Sequence, residues 1–292
     1  MTAFIQQLIY GTSYGMNLAV AAAGLALIFG VYRVINLAHG QLIMLGGFAT
    51  YVVSTQLGVH FFVGFFAAMA VLGLLGVALE STIFRILQAR PATDQLLASL
   101  GIYMILGTIA LRIWGDFEAR PVDMPGEEWA LHLGEDIRID GARIVTIAIT
   151  LALFAGLYFV VYRTHLGRTM RATAQAPETA ELMGIRKRRV AALVFFIGGA
   201  LGGAAGAMLG GLFNVRPDMG FQPLLMALII IIFGGMGSLG GAIIAGLILG
   251  ILYNLTVYYV GSKLGDLVPF GVLLVVLMVR PQGLFGVPGR RA

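Results

Sequence analysis

The sequence predicts an all-α, polytopic integral membrane helical bundle of about eight or nine transmembrane segments, some of them broken by glycine-rich or polar turns. Three observations predict it. Hydrophobic residues make up 59% of the 292 residues and charged residues only 11%, against roughly 45–50% and 25% in soluble domains. So few charges could not cover a soluble surface of this size, and the mean hydropathy of +0.92 agrees. The 41 glycines suit helices whose backbones approach closely, because packing drives helix association in lipid. Finally, apolar runs recur at the length that a bilayer core of about 30 Å demands, around 20 residues at 1.5 Å each.

Taken in order, the spans fall at roughly 5–30, 61–88, 94–115, 143–162, 190–213 and 264–280. Two regions are less regular. Residues 31–57 contain the polar break Tyr32-Arg33-Val34-Ile35-Asn36-Leu37-Ala38-His39-Gly40 and then a shortened apolar stretch. Residues 223–260 are apolar but interrupted by Gly234-Gly235-Met236-Gly237-Ser238-Leu239-Gly240-Gly241. Each region counts as a broken pair, which brings the total to about nine. Ile28-Phe29-Gly30 before the first break and Ile232-Phe233-Gly234 before the second form a faint echo. Paired interrupted segments point to a transporter site, although glycine-rich membrane segments also resemble one another by composition.

Charge predicts the orientation. Residues 163–189 carry seven basic side chains (Arg163, Arg168, Arg171, Arg186, Lys187, Arg188, Arg189) against Glu178 and Glu181. Residues 116–140 carry eight acids against Arg120 and Arg138. Positive loops stay inside, so residues 1–292 read as a single transmembrane domain with an external loop at 116–142 and a cytoplasmic loop at 163–189. Counting spans in both directions puts the N-terminus outside and the C-terminus, with Arg280, Arg290 and Arg291, in the cytoplasm. No basic n-region precedes the first span, so no cleavable signal peptide is expected.

Composition also excludes chemistry. With no cysteine there is no disulfide, thiolate metal site or cysteine nucleophile, and no cofactor is expected. The net charge of +5 follows membrane topology, so no nucleic-acid partner is expected. Serine-protease spacing fails at Ser238, where Met236 stands in place of glycine. His39, His60, His132 and His165 form no His-x-x-x-His pair. A gradient-driven carrier would want several intramembrane acids, and only Glu80 qualifies. Glu80 is expected to pair with Arg33 or Arg85. Met16, Met44 and Met226 read as packing.

The basic loop carries the most telling pattern. Pro177 suits the first position of a helix and Gly184 the residue just past its end, so residues 177–183 form a helix of about 10 Å. It is too short to span, lies on the membrane face, and offers Leu182 and Met183 to whatever docks there. An ordinary connector with basic anchors is the competing reading.

The run from Arg171 to Ile185, Arg-Ala-Thr-Ala-Gln-Ala-Pro-Glu-Thr-Ala-Glu-Leu-Met-Gly-Ile, resembles the ATPase-coupling loop of ABC importer permeases, in the form seen in the hydrophobic and branched-chain amino-acid family. Gly24-Leu-Ala-Leu-Ile-Phe-Gly30 with Val34-Ile-Asn-Leu-Ala-His-Gly-Gln41 is similar to a second signature of that family. Phe233–Ala242 and Arg280–Gly286 resemble its C-terminal signatures. Tyr32-Arg33 departs from it, since the family more usually has small or apolar residues there. The resemblance implies a permease subunit in the inner membrane that pairs with a homologous permease or a second copy. Two cytoplasmic ATPases and a periplasmic binding protein would complete the system. Ala176, Glu178, Ala180, Glu181, Leu182, Met183 and Gly184 would then form the coupling segment. The substrates implied are branched-chain or other hydrophobic amino acids, with urea or short amides as the alternative. The chain's two lysines, Lys187 and Lys263, sit in no Gly-x-x-x-x-Gly-Lys-[Ser/Thr] loop, so the energy of ATP would enter through a partner.

Polar groups at membrane depth must face protein or water. Asn36, His39, Gly40 and Gln41 in the first break are therefore the candidates for the translocation path. The alternative is that Asn36 and His39 only satisfy the backbone of a broken helix.

Overall fold

The computed structural model describes residues 2–115, 118–133 and 137–285. Helix α1 (Thr2–Tyr32) is followed by α2 (His39–Tyr51), which continues through a wider π turn to Gln56. Then come α3 (Phe61–Leu79), prolonged to Leu87, and α4 (Ala92–Trp114). A hairpin of β1 (Ala130–Leu133) and β2 (Ile137–Asp140) pairs Leu131 with Ile139. After it run α5 (Gly141–Tyr158), prolonged to Arg163, α6 (His165–Gln175), α7 (Pro177–Leu182) and α8 (Lys187–Phe213). The chain ends on α9 (Phe221–Gly234), α10 (Leu239–Tyr259) and α11 (Ser262–Val279).

Seven of these helices are long and apolar enough to cross a membrane: α1, α3, α4, α5, α8, α10 and α11. Six of them lie within a few residues of their expected spans, and α10 is the second part of the interrupted region 223–260. Helix α9 has 14 residues, about 21 Å, and α2 has 13 before its five-residue π turn, about 27 Å with it; both fall short of the bilayer core. Together they bring the embedded segments among the described residues to nine.

The middle of the bundle is α1 and α8. In each, 78% of the most apolar window is buried, against 17% in α4 and 11% in α11, which therefore lie at the periphery. Glycines let the central backbones touch: a Cβ on Gly11 would stand 2.6 Å from the Ile251 Cα, and one on Gly46 2.5 Å from the Gly203 Cα. In lipid such close dispersion contact replaces the hydrophobic effect as the source of association.

The two faces are marked by side chains. At one, the Tyr10 hydroxyl donates to Asp140 at 3.2 Å and the Arg143 guanidinium sits 3.7 Å over the Tyr10 ring. This is the acidic face, and α1 begins there. At the other, the basic face, Lys187 pairs with Glu181 at 2.6 Å, and α8 begins there. The two central helices thus run in opposite directions.

The segment expected as the external loop is an arm lying across the acidic face. Val122 and Met124 are buried in the core, and Thr55 Oγ1 donates to the Pro121 carbonyl at 3.3 Å. Asp116, Glu135 and Asp136 lie outside the described residues, as do Gly286, Arg290 and Arg291.

The glycine-rich stretch 234–241 is a tight turn between α9 and α10. Ser238 Oγ caps α10 by accepting from the Gly241 amide at 3.1 Å. The tail packs back on it, with Leu284 N donating to Phe233 O at 2.8 Å and Phe285 N to Gly234 O at 3.2 Å. The two C-terminal motifs are therefore one structural unit.

Candidate functional site

The counterpart of the first break is residues 214–220, after α8. Helix α1 ends at Tyr32 and α8 at Phe213, and the next residues, Arg33 (φ 56°) and Asn214 (φ 66°), are the only described non-glycine residues with positive φ. After each, a short non-helical stretch leads into a shorter helix, α2 or α9. The His39 Nε2 donates to the Ala21 carbonyl at 3.0 Å, eleven residues back along α1, so α2 starts about 16 Å inside the end of its parent helix. The two half-helices meet at their N-termini. A Cβ on Gly40 would lie 2.7 Å from the Gly220 carbonyl oxygen and 2.9 Å from the Leu224 Cβ. Because α1 and α8 run in opposite directions, the two units form an inverted pair, the construction in which transporters place sites at mid-membrane. Of the sequence echo, Ile28-Phe29-Gly30 stands near the end of α1 before the first break, whereas Ile232-Phe233-Gly234 ends α9 and does not precede its counterpart.

The first break is walled in. Asn36, His39 and Gln41 are 1%, 0% and 3% exposed. Asn36 Oδ1 accepts from the Ala38 amide at 3.1 Å, and the Leu37 amide donates to Ser99 Oγ at 3.1 Å. The Gln41 amide lies near the Tyr103 hydroxyl. Each of the three keeps one buried polar atom without a protein partner: Asn36 Nδ2, His39 Nδ1 and Gln41 Oε1. Below them Glu80, 1% exposed, is neutralised by Arg85 at 2.7 Å and accepts from the Tyr32 hydroxyl at 3.1 Å. Of the two expected partners, Arg85 is the one in contact, and Arg33 is exposed.

The second break opens on space. A cavity of about 670 Å³ is lined by its residues Asn214, Arg216 and Asp218, and by Tyr14, Tyr103 and Tyr253 from neighbouring helices. That volume lies in the range of small-molecule sites, about 300–1,000 Å³. Arg216 and Asp218 make a two-pronged pair at 3.0 and 2.6 Å. Gln222 Nε2 donates to the Tyr253 hydroxyl at 2.8 Å and to Asp266 at 2.9 Å. The arm is stitched to this break by Arg120 and Val215, whose backbones exchange hydrogen bonds of 3.0 and 2.8 Å. The sequence reading passed over Arg216 and Asp218 as part of a connector. Their signal was the run Asn-Val-Arg-Pro-Asp, two opposite charges around a proline between apolar helices.

On the basic face the short helix expected at 177–183 is present as Pro177–Leu182, with proline at its first position. Gly184 has φ 84°. Ile185 N donates to Ala180 O at 3.0 Å and Gly184 N to Glu181 O at 2.9 Å, the paired bonds of a Schellman end. Ala180 is buried, while Leu182 and Met183 are 88% and 80% exposed. Ala176 precedes the helix and Glu178 occupies its first turn. Helix α6, which the sequence reading left as loop, carries this unit: Arg171 donates to the Val161 carbonyl and stacks 5.2 Å over the Tyr162 ring.

Known proteins share this organisation. Residues 7–277 match the family model described as branched-chain amino acid transport system / permease component. The chain is 30% identical to the high-affinity branched-chain amino acid transport system permease protein LivH of Escherichia coli K12, over 98% of this chain and 96% of that one. It is 29% identical, with the same coverage, to the corresponding protein BraD of Pseudomonas aeruginosa. The fold is shared with a solved structure, PsaBC from Streptococcus pneumoniae in complex with Fab, at a TM-score of 0.50 and 14% identity, covering 96% of this chain and 92% of that one. By the extent of the family match, this chain belongs to the permease components of branched-chain amino acid transport systems.

Proposed function

We propose that this chain is the membrane-spanning subunit of a binding-protein-dependent ABC importer for branched-chain and other hydrophobic amino acids, in the bacterial inner membrane. The basic face is cytoplasmic, and the acidic face, with the N-terminus, is external. Two ATPase subunits dock on the cytoplasmic face, a homologous permease or a second copy completes the path, and a periplasmic binding protein delivers substrate to the arm. Asn36, His39, Gly40 and Gln41 form the buried joint of the first half-helix beneath that path.

The observation that carries this reading is the coupling helix. Two large apolar side chains, Leu182 and Met183, stand almost fully exposed at the end of a rigidly closed helix. On a charged surface such anchors fit a groove on a partner. Leu182→Asp is expected to abolish co-purification of the ATPase. Gly184→Val, which forces a β-branched residue into the left-handed region at about 1–2 kcal/mol, is expected to uncouple hydrolysis from uptake. Both are measured in proteoliposomes with labelled leucine, isoleucine and valine. Wild-type ATPase binding and coupling in both variants would sink the docking role.

A further inference from the structure

We infer that the 670 Å³ cavity at the second break is a binding site for a zwitterionic α-amino acid, with Arg216 and Asp218 holding its carboxylate and ammonium groups. This rests on the importer reading above and names the place in this subunit where the substrate is held.

Depth makes the first argument. Helix α9 has 14 residues, about 21 Å, and its far end joins the basic-face turn. Its start therefore lies inside a core of about 30 Å, and the charged pair stands between that start and Val215, which is tied to the acidic-face arm. Arg216 and Asp218 are 48% and 42% exposed. A charged pair open there faces water, and the cavity it lines extends to Phe221, Gln222 and Pro223 at the start of α9.

Chemistry makes the second. A single cation or anion would fit a transported ion of one sign, and an uncharged polar wall would fit urea or an amide. Here both signs stand side by side, 2.6 Å apart at their nearest atoms. The head of an amino acid carries the same two charges in the complementary order. It can lie head-to-tail along the pair, with carboxylate on the Nη1 edge of the guanidinium that Asp218 leaves open and ammonium on Asp218. The rest of the wall suits an apolar side chain: Tyr14 packs edge-on to Phe213 at 5.7 Å and against Tyr253 at 5.2 Å, while Leu209 and Met219 close the inner side. Gln41, near the Tyr103 hydroxyl, brings the first half-helix to this wall.

The test uses the complete complex in proteoliposomes with its own binding protein. The chain has no cysteine, so Ala119→Cys at the exposed rim of the cavity gives one label beside it once cysteines of the other subunits are masked. Leucine is expected to slow alkylation about tenfold, whereas leucinamide, which lacks the carboxylate, and urea do not. Adding Arg216→Gln or Asp218→Asn should remove the protection by leucine. In the cysteine-containing chain without these changes, leucine uptake should persist. Uptake without protection overturns the cavity site and leaves the importer reading standing. Protection without uptake supports the site and overturns the importer reading. Equal protection by leucine and leucinamide overturns the role of Arg216.

Discussion

Residues 33–38 and 214–220 each leave their parent helix through a non-glycine residue of positive φ, Arg33 and Asn214, and enter shorter helices that meet at Gly40 and Gly220. Their surroundings differ sharply. Around the first, Asn36, His39 and Gln41 are shut away; Asn36 Oδ1 and His39 Nε2 bond to backbone, while Asn36 Nδ2, His39 Nδ1 and Gln41 Oε1 keep no protein partner. Around the second, an ion pair stands open to a cavity and the arm is tied to Val215. One inverted construction thus has two settings: in the first break the polar groups are enclosed by neighbouring helices, and in the second an ion pair borders open space.

The largest test of the shared construction is the contact between the half-helices. Gly40→Leu would drive a side chain into the Gly220 carbonyl and Leu224, where neither backbone can yield. Overpacking of this kind costs about 3 kcal/mol. The expected outcome is loss of folded complex, read as yield and thermal unfolding in detergent, and Gly220→Leu should match it. If either variant unfolds at the wild-type temperature, the half-helices do not bear on each other.

Asn36→Leu tests the enclosed break. It removes the cap on the Ala38 amide, about 1 kcal/mol, so uptake and recovered complex should fall together. Full recovery of complex with lost uptake would instead put Asn36 in contact with substrate and erase the contrast between the breaks.

The smallest effects concern the residues of positive φ. Asn214 has φ 66° and ψ 162°, a region open essentially to glycine, so Asn214→Val should destabilise the complex by about 1 kcal/mol and Asn214→Gly should stabilise it by about 1 kcal/mol. Arg33→Gly, by the same logic, should stabilise by about 0.5 kcal/mol. Thermal unfolding of the three variants would show whether both helix exits are built alike; a stabilising Asn214→Val would mean that the two exits differ.

The long spans were legible because membrane length and hydropathy act locally, and six boundaries fell within a few residues of α1, α3, α4, α5, α8 and α11. The α7 helix was legible from two residues, Pro177 and Gly184, that have positional meaning at helix ends. The second break was not. Between apolar runs, Asn214–Gly220 reads as any connector does, and nothing in hydropathy says that a connector dips into the membrane. The depth of α9 is set by a tertiary contact, Gly220 on Gly40, between residues from opposite halves of the chain. The pairing of Glu80 with Arg85 was within reach because the two lie on consecutive turns, whereas the Arg120–Val215 stitch joins segments that no local pattern links.

The embrace of the half-helices also bears on how the protein is made. Helix α1 leaves the ribosome well before α8 and α10, which supply its cover. Until then its polar Ser13 and Asn17, buried in the finished molecule, have no protein shelter from lipid. Membrane insertion of the first half therefore precedes its stabilisation, and an insertion site that keeps α1 from full release until α8 arrives would spare that exposure. A chain truncated before residue 187 would leave a first half with a good hydropathy profile and no durable place in the bilayer.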